Sequence, residues 1–144
     1  MTASGPVVHV NRLESAEAVT AAEAERAVAA TAEAEGVEGG EISITFLDTP
    51  AMAALNEAHL GRMGATDVIA FNLAEPREPL GDVYICPEVA KESAREYGVG
   101  LREELLRLVV HGVLHVFGHD HPEGPERTES DMFRRQEAIL SRVL

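Results

Sequence analysis

Cysteine and long apolar runs are scarce in this sequence. Its only cysteine is Cys86, which excludes an internal disulfide framework and is typical of a reducing cytoplasm. No apolar run approaches the roughly 20 residues that a membrane span needs. The opening segment, MTASGPVVHV, lacks the basic start and the apolar stretch of a secretory signal. We therefore expect one soluble cytoplasmic domain over residues 1–144, with no membrane partner.

Basic residues are also few. The chain has 12 Lys and Arg against 25 Asp and Glu, so its formal net charge is −13. A field of this sign opposes non-specific binding to nucleic acid or to an anionic membrane. Contact with a polyanion would therefore need a local basic patch, a metal ion, or a basic protein that brings the two together.

Hydrophobic periodicity divides the chain into strands and helices. The strands are predicted at residues 6–13, 41–47, 67–73 and 81–86, and the helices at 15–35, 48–60, 87–98, 101–117 and 126–144. Ser15 is the expected N-cap of the first helix. The fourth helix is apolar almost all the way round, so we expect it in the core. Strands in the first two-thirds, with helices around and after them, predict an α+β domain.

Histidines are concentrated in the segment HGVLHVFGHDH, at residues 111–121. On a helix, His111 and His115 lie one turn apart on one face and can direct their imidazoles at one point. Gly118 can adopt the left-handed conformation that ends a helix and reverses the chain, which returns His121 to that point. Three neutral imidazoles around one centre are typical of catalytic zinc, which keeps a fourth position for water. The segment therefore predicts one zinc ion bound by these three histidines.

Two features of the segment limit the alternatives. A histidine pair alone is more often a hydrogen-bonded part of a core, and it is the glycine and the third histidine that favour zinc. His119 is the alternative third ligand, but it directly follows Gly118 and is expected to face away. The spacing also matches that of the metzincin proteases, in which a glutamate after the first histidine acts as general base. That position is Gly112 here, which counts against a peptidase.

Polar residues outside the ligand set each allow two interpretations. Asp120 orients a ligand imidazole or caps the loop backbone. Asp67 lies at the edge of the site or, as we favour, simply begins a strand. Glu104 accepts a hydrogen bond from an imidazole or, as we favour, is a solvated charge near the start of its helix. Cys86 approaches the metal or, as we favour, is a small buried apolar residue.

The same segment resembles the signature H-G-x-L-H-x-x-G-x-D-H of the YbeY family of bacterial rRNA maturation factors, regarded as single-strand-specific metallo-endoribonucleases. Two further blocks carry the resemblance. Leu55-Asn56 followed by TDVIAF at residues 66–71 is similar to the family's L-N…T-D-V-L-S-F block. GDVYIC at residues 81–86 is similar to its G-D-I-x-I-S/C strand.

The resemblance implies a compact α+β domain, with a mixed sheet of about four strands flanked by helices and a zincin-like metal helix. It implies zinc at His111, His115 and His121. It also implies a role in the 3′-end maturation of small-subunit (16S) rRNA and in ribosome quality control, with single-stranded rRNA, the small ribosomal subunit and its basic proteins as partners. This sequence departs from the family pattern at one position: many members have an arginine where this chain has Leu60. Arg62 is a candidate for that role, or a solvated loop charge.

Zinc with three neutral ligands keeps its charge, lowers the pKa of bound water toward about 7 and stabilises charge on a phosphoryl oxygen. The residues therefore predict metal-assisted phosphodiester hydrolysis in RNA, with attack by an RNA 2′-OH left open. The sequence assigns no catalytic group other than the zinc-bound water. Asp120 and Arg62 are candidates. One competing interpretation is a non-catalytic, zinc-stabilised factor that binds the small ribosomal subunit, which the net charge and Leu60 favour. The other is a zinc peptidase, which Gly112 disfavours.

Overall fold

The computed structural model describes residues 5–12, 16–74, 79–119 and 131–144. Within these ranges strands and helices alternate in the first half of the chain, and helices follow in the second. In chain order the elements are β1 (Val7–Asn11), α1 (Ala21–Glu35), β2 (Glu41–Phe46), α2 (Thr49–Leu60), β3 (Val68–Asn72), β4 (Leu80–Ile85), α3 (Pro87–Tyr97), α4 (Leu101–Val116) and α5 (Asp131–Ser141).

The strands form one mixed sheet in the order β1-β2-β4-β3. β1, β2 and β4 run parallel, and β3 is antiparallel to β4 at the edge of the sheet. This confirms the predicted α+β domain, with a mixed sheet of about four strands flanked by helices. Among the helices that the structure describes, none is both long and apolar enough to cross a lipid bilayer.

Alternation along β2 explains which face of the sheet is buried. Ile42, Ile44 and Phe46 are completely buried, and the residues between them are partly solvated. Successive side chains of a strand point to opposite faces, so these three form one apolar face. That face lies in the same core cluster as most of α4, and α4 also contacts α1, α3 and α5. The predicted core position of the fourth helix is confirmed.

A smaller cluster covers part of the opposite face of the sheet. It contains Leu47, Met52, Ile69 and Cys86, with partly buried apolar side chains of α2 around it. Cys86 is fully buried and immediately precedes α3. The favoured interpretation of this residue as a small buried apolar side chain is confirmed.

The first helix starts later than its composition predicted. The expected N-cap, Ser15, lies outside the described residues, and α1 begins only at Ala21, with Thr20 as its N-cap. The Thr20 hydroxyl accepts from the Glu23 backbone N–H at 3.1 Å, and the Glu23 carboxylate accepts from the Thr20 backbone N–H at 3.0 Å. This reciprocal capping box satisfies two backbone donors at the helix start, so it decides where the helix begins. The prediction of a helix from residue 15 was wrong at this end.

Replacement of Thr20 by alanine should lower the free energy of unfolding by about 1 kcal/mol, because the first turn of α1 loses its cap. Urea denaturation followed by circular dichroism measures this change. Glu25→Ala is the matched control, since Glu25 is an exposed residue of the same helix and should change stability by less than about 0.5 kcal/mol. Equal stability of the Thr20 variant and the native chain would contradict the assignment of the cap.

The last helix was predicted over residues 126–144. The described part confirms a helix there, from Asp131 to Ser141, and residues 126–130 lie outside the described ranges. Its buried residues are Met132, Gln136, Ile139 and Leu140. These positions recur at helical spacing, so one face of α5 is directed at the core.

Candidate metal centre

His111 and His115 lie on the same face of α4, near its C-terminal end. Their Nε2 atoms are 3.1 Å apart, and their ring centroids are 4.6 Å apart, with the planes inclined at 76°. His111 is buried, with 7% of its surface exposed, and His115 is half-buried. The spacing of four residues on a helix therefore brings the two imidazoles together as predicted.

The distance between the two Nε2 atoms fits a shared metal ion. Zinc binds histidine nitrogen at about 2.0–2.1 Å, and a tetrahedral angle between two such ligands separates their nitrogens by about 3.3 Å. The 3.1 Å between His111 and His115 is close to this value. Two neutral rings at this distance are also joined by an N–H···N hydrogen bond when one of them donates. The distance is therefore compatible both with two ligands of one zinc ion and with a hydrogen bond between the rings.

The chain after α4 turns as the sequence predicted. Gly118 has φ of +99°, and the following His119 backbone N–H donates to the carbonyl of Leu114 at 2.9 Å. A positive φ at this position is readily adopted only by glycine, so Gly118 permits the bend. The ring of His119 contacts Glu35 of α1 through its Nε2 atom. This contact gives His119 a partner outside the histidine pair and is compatible with His121 as the third ligand.

His121 and Asp120 lie outside the described residues. The described ranges therefore contain two of the three predicted ligands, and within these ranges no cluster of three or more metal-ligating side chains is present. The assignment of His121 as a ligand and the role of Asp120 stay predictions.

Gly112 allows α4 to lie directly on the sheet. A Cβ atom at this position would lie 2.4 Å from Cγ1 of Val83 on β4. One turn further on, Val116 occupies the space above Gly81, where a Cβ atom would meet the valine at the same distance of 2.4 Å. The two glycines let the helix and the strand interlock, which fixes the height of the histidine pair above the sheet. A glutamate at residue 112 has no room, so the contact disfavours the peptidase interpretation further.

A buried glutamine of α5 contacts the histidine pair, and sequence reasoning missed it. Nδ1 of His111 lies 2.6 Å from Oε1 of Gln136, whose exposed fraction is 4%. Gln136 takes a core-facing position between the apolar residues Met132 and Ile139. A polar residue at such a position is a sequence signal for a buried hydrogen bond. The partner could not be read from the sequence, because it lies 25 residues away.

Arg107 joins three carboxylates behind the histidine pair. Its guanidinium donates to Glu103, Glu104 and Glu137 at 2.9 Å each, with a second bond to Glu137 at 3.1 Å. These hydrogen bonds, with that to Glu137 first, raise the pKa of Arg107 despite its partial burial. Burial alone would raise the pKa of Glu137, but its bonds from Arg107 and Gln136 lower it below its usual value. The cluster thus holds an arginine cation against a carboxylate anion beside Gln136.

Neither interpretation of Glu104 from the sequence was right. Glu104 is buried rather than solvated, with 6% of its surface exposed, and its carboxylate bonds Arg107 rather than an imidazole. The partner is Arg107, one turn later on the same helix. The apolar residues around it gave no sign of this contact in the sequence. Asp67, in contrast, immediately precedes β3, and its carboxylate accepts from the Val68 backbone N–H at 2.8 Å. Its position at a strand start is confirmed, and its negative charge adds to the effect of burial in raising the pKa of Glu104.

Glu104 should make stability fall with rising pH over a limited window. Burial raises the pKa of its carboxyl, and the hydrogen bond from Arg107 offsets only part of this. The folded chain therefore keeps a proton that the unfolded chain loses at its ordinary pKa of 4.5. As pH rises from there through the folded pKa, this contribution is lost. Glu104→Gln does not titrate, so native stability should decline relative to the variant in that window.

Urea denaturation of the native chain and of Glu104→Gln at a series of pH values measures this difference. Titration of carboxylates distant from Arg107 is common to both chains and cancels in the difference to first order. A native stability that rises relative to the variant over the same window would contradict the raised pKa of Glu104.

The loop between α2 and β3 is fixed by a buried asparagine. Nδ2 of Asn56 donates to the carbonyl of Gly64 at 2.8 Å, and its exposed fraction is 4%. Arg62 in this loop is exposed, and its guanidinium forms no hydrogen bond or ion pair with the residues that the structure describes. Leu60, at the end of α2, is 46% exposed. The side chain of Arg62 therefore has the exposure expected of a solvated loop charge. Its candidate catalytic role stays a prediction.

Comparison with known proteins identifies the family. Residues 9–144 match the family model described as Endoribonuclease YbeY. The chain is 46% identical over 110 residues to an Endoribonuclease YbeY of Beutenbergia cavernae, with 69% of this chain and 72% of the relative covered. It is 38% identical over 151 residues to the protein of that name from Geobacillus kaustophilus, with 94% and 96% covered.

A solved structure has a similar fold. The fold is similar to the solution structure of a Thermotoga maritima protein, with a TM-score of 0.66, 25% sequence identity, and coverage of 95% of this chain and 89% of that one. The α+β architecture with paired helical histidines is thus found in a chain that is related over nearly its whole length to named endoribonucleases. The chain belongs to the YbeY family of endoribonucleases.

Proposed function

We propose that this chain is a zinc-dependent, single-strand-specific endoribonuclease of the cytoplasm. Its proposed role is the 3′-end maturation of small-subunit (16S) rRNA and ribosome quality control. The observation that carries the metal dependence is the 3.1 Å approach of the Nε2 atoms of His111 and His115, and membership of the family supports the RNA substrate. The single buried cysteine is compatible with a reducing compartment.

The proposed ligands of one zinc ion are His111, His115 and His121. When bound, such an ion supplies a Lewis acid that lowers the pKa of water and stabilises charge on a phosphoryl oxygen. The residues of the chain do the positioning. α4 holds two imidazoles at one point, the contact between Gly112 and Val83 sets their height above the sheet, and the bend at Gly118 allows a third ligand to return. Asp120 and Arg62 are candidates for contact with RNA or with the attacking group.

The net charge of −13 bears on how RNA reaches the site. Each bound phosphate must be attracted locally against the field of the whole chain. We propose that the zinc ion, an exposed arginine such as Arg62, and basic proteins of the small ribosomal subunit supply this attraction. Affinity for naked RNA should accordingly be weak, and it should depend only weakly on salt, because few phosphate contacts release few counterions.

Cleavage of a defined RNA tests the proposed activity. Metal-loaded protein should cut a single-stranded RNA internally, and should cut the same RNA much less when it is annealed to its complement. A chelator should stop cleavage, and added zinc should restore it. RNA that stays intact under all of these conditions, or cleavage that a chelator leaves unchanged, would contradict a metal-dependent nuclease.

A second candidate is a zinc-stabilised assembly factor that binds the small ribosomal subunit and cuts nothing. The acidic surface favours contacts with basic ribosomal proteins over RNA, and the exposed Leu60 stands where many members of the family have an arginine. Co-sedimentation with small subunits whose rRNA stays uncut would support this candidate. Cleavage that depends on the histidines would support the enzyme.

A further inference from the structure

A chain of hydrogen bonds leads from the histidine pair to Arg107. Nδ1 of His111 lies 2.6 Å from Oε1 of Gln136, Nε2 of Gln136 lies 3.0 Å from Oε2 of Glu137, and Nε of Arg107 lies 2.9 Å from the same oxygen. These hydrogen bonds connect α4 to α5 twice, through His111 with Gln136 and through Arg107 with Glu137. Its members are buried or half-buried.

The charge of Arg107 fixes the direction of every bond in this chain. A guanidinium can only donate, so Glu137 accepts from it as a carboxylate. A carboxylate can only accept, so the amide nitrogen of Gln136 must face Glu137 and its oxygen must face His111. That oxygen in turn needs a donor, which is Nδ1–H of His111. The ring of His111 then has its lone pair on Nε2, the atom that approaches His115.

Burial makes the opposite arrangement costly. With the amide of Gln136 turned round, its oxygen would face the Glu137 carboxylate, and its nitrogen would face His111. A buried polar group left without a partner costs about 1–3 kcal/mol, and a charged one costs more. Gln136 and His111 are only 4% and 7% exposed, so water cannot readily replace the lost bonds. The orientation of the amide is therefore built into the fold.

We propose that Gln136 is a positioning residue that holds His111 as the Nδ1–H tautomer, with the Nε2 lone pair directed at the metal. The inference rests on the proposed function, because the tautomer matters only if His111 binds zinc. The hydrogen bonds that fix the tautomer do not depend on zinc. Ligand histidines are commonly oriented by an acceptor at the other ring nitrogen, and loss of such a partner costs about 10- to 100-fold in metal affinity. Arg107 and Glu137 act through Gln136 by fixing its amide.

Nitrogen chemical shifts of the His111 ring in metal-free protein test the tautomer directly. The measurement is made well above the ordinary histidine pKa of about 6.5, where the ring is neutral. In the native chain, Nδ1 should have the shift of a protonated nitrogen and Nε2 that of an unprotonated one. Gln136→Met has nearly the same length but no acceptor, and should give a mixture of both tautomers.

Zinc affinity, measured by competition with a chromophoric chelator, is the second readout. It should fall by about 10- to 100-fold in Gln136→Met. Arg135→Met is the matched control, because Arg135 is on the same helix but donates to Glu35 at 2.9 Å. That variant should leave both the tautomer and the zinc affinity unchanged.

An Nε2–H tautomer in the native chain would overturn the inference. So would native shifts and native zinc affinity in a folded Gln136→Met variant. If Gln136→Met fails to fold, the shifts of the native chain still decide the tautomer. If the native chain binds no zinc, the proposed function fails, while the shifts of the metal-free ring still report whether Gln136 positions His111.

Discussion

Replacement of His115 by alanine should remove zinc from the purified protein and reduce RNA cleavage to the level of a chelator-treated sample. The variant loses a proposed direct ligand, so its zinc affinity should fall by more than the roughly 100-fold that loss of an outer partner costs. His115 is only half-buried at the end of α4, so the fold should tolerate the smaller side chain. Metal analysis together with a cleavage assay measures both effects.

His119→Ala is the control for this prediction. His119 follows the same helix, but its ring contacts Glu35. The His119 variant should retain zinc and cleavage, which also tests the alternative third ligand. Zinc and activity retained in the His115 variant, or lost in the His119 variant instead, would contradict the proposed ligand set.

Replacement of Gly112 by alanine should destabilise the protein, although alanine is the better helix former. Helix propensity alone would stabilise the variant by about 1 kcal/mol. The added Cβ, however, would lie 2.4 Å from Cγ1 of Val83, a distance that real Cβ atoms do not adopt. Overpacking of a core costs about 1–3 kcal/mol, so α4 must move away from β4. We expect a net loss of up to about 2 kcal/mol in unfolding free energy and weaker zinc binding, because the histidine pair moves with the helix.

A double-mutant cycle isolates this contact. Val83→Ala removes the methyl groups that the new Cβ would meet, so alanine at residue 112 should cost less in that background. Gly39→Ala is the matched control, since a Cβ there meets nothing within 4 Å. Urea denaturation gives the free energies. A Gly112→Ala chain that is more stable than the native one would show that the helix does not lie as close to the sheet as described.

Elements with their own local signals could be predicted closely from the sequence. Asp48 and Pro50 define the start of α2, and Gly118 defines the turn after α4, because caps and turns depend on neighbouring residues. The start of α1 was missed even though its signal is also local. Thr20 and Glu23 have the spacing of a capping box, whereas the Ala-rich composition suggested a longer helix. The capping hydrogen bonds, and not helix propensity, determine where α1 begins.

Contacts between distant segments could not be predicted in this way. The spacing of His111 and His115 predicted their meeting because both lie on one helix. The bond from His111 to Gln136 requires α5 to pack against α4, and nothing in either segment alone specifies the partner. Glu104 shows the same limit, because its burial depends on Arg107 and on the carboxylates that share it.

Anomalous diffraction at the zinc absorption edge, from crystals of untagged protein, tests the central claim most directly. The account predicts one peak per chain, about 2.0–2.1 Å from the Nε2 atoms of His111 and His115 and in contact with the ring of His121. A histidine pair that bonds only other protein groups, with no anomalous peak beside it in protein supplied with zinc, would contradict the account.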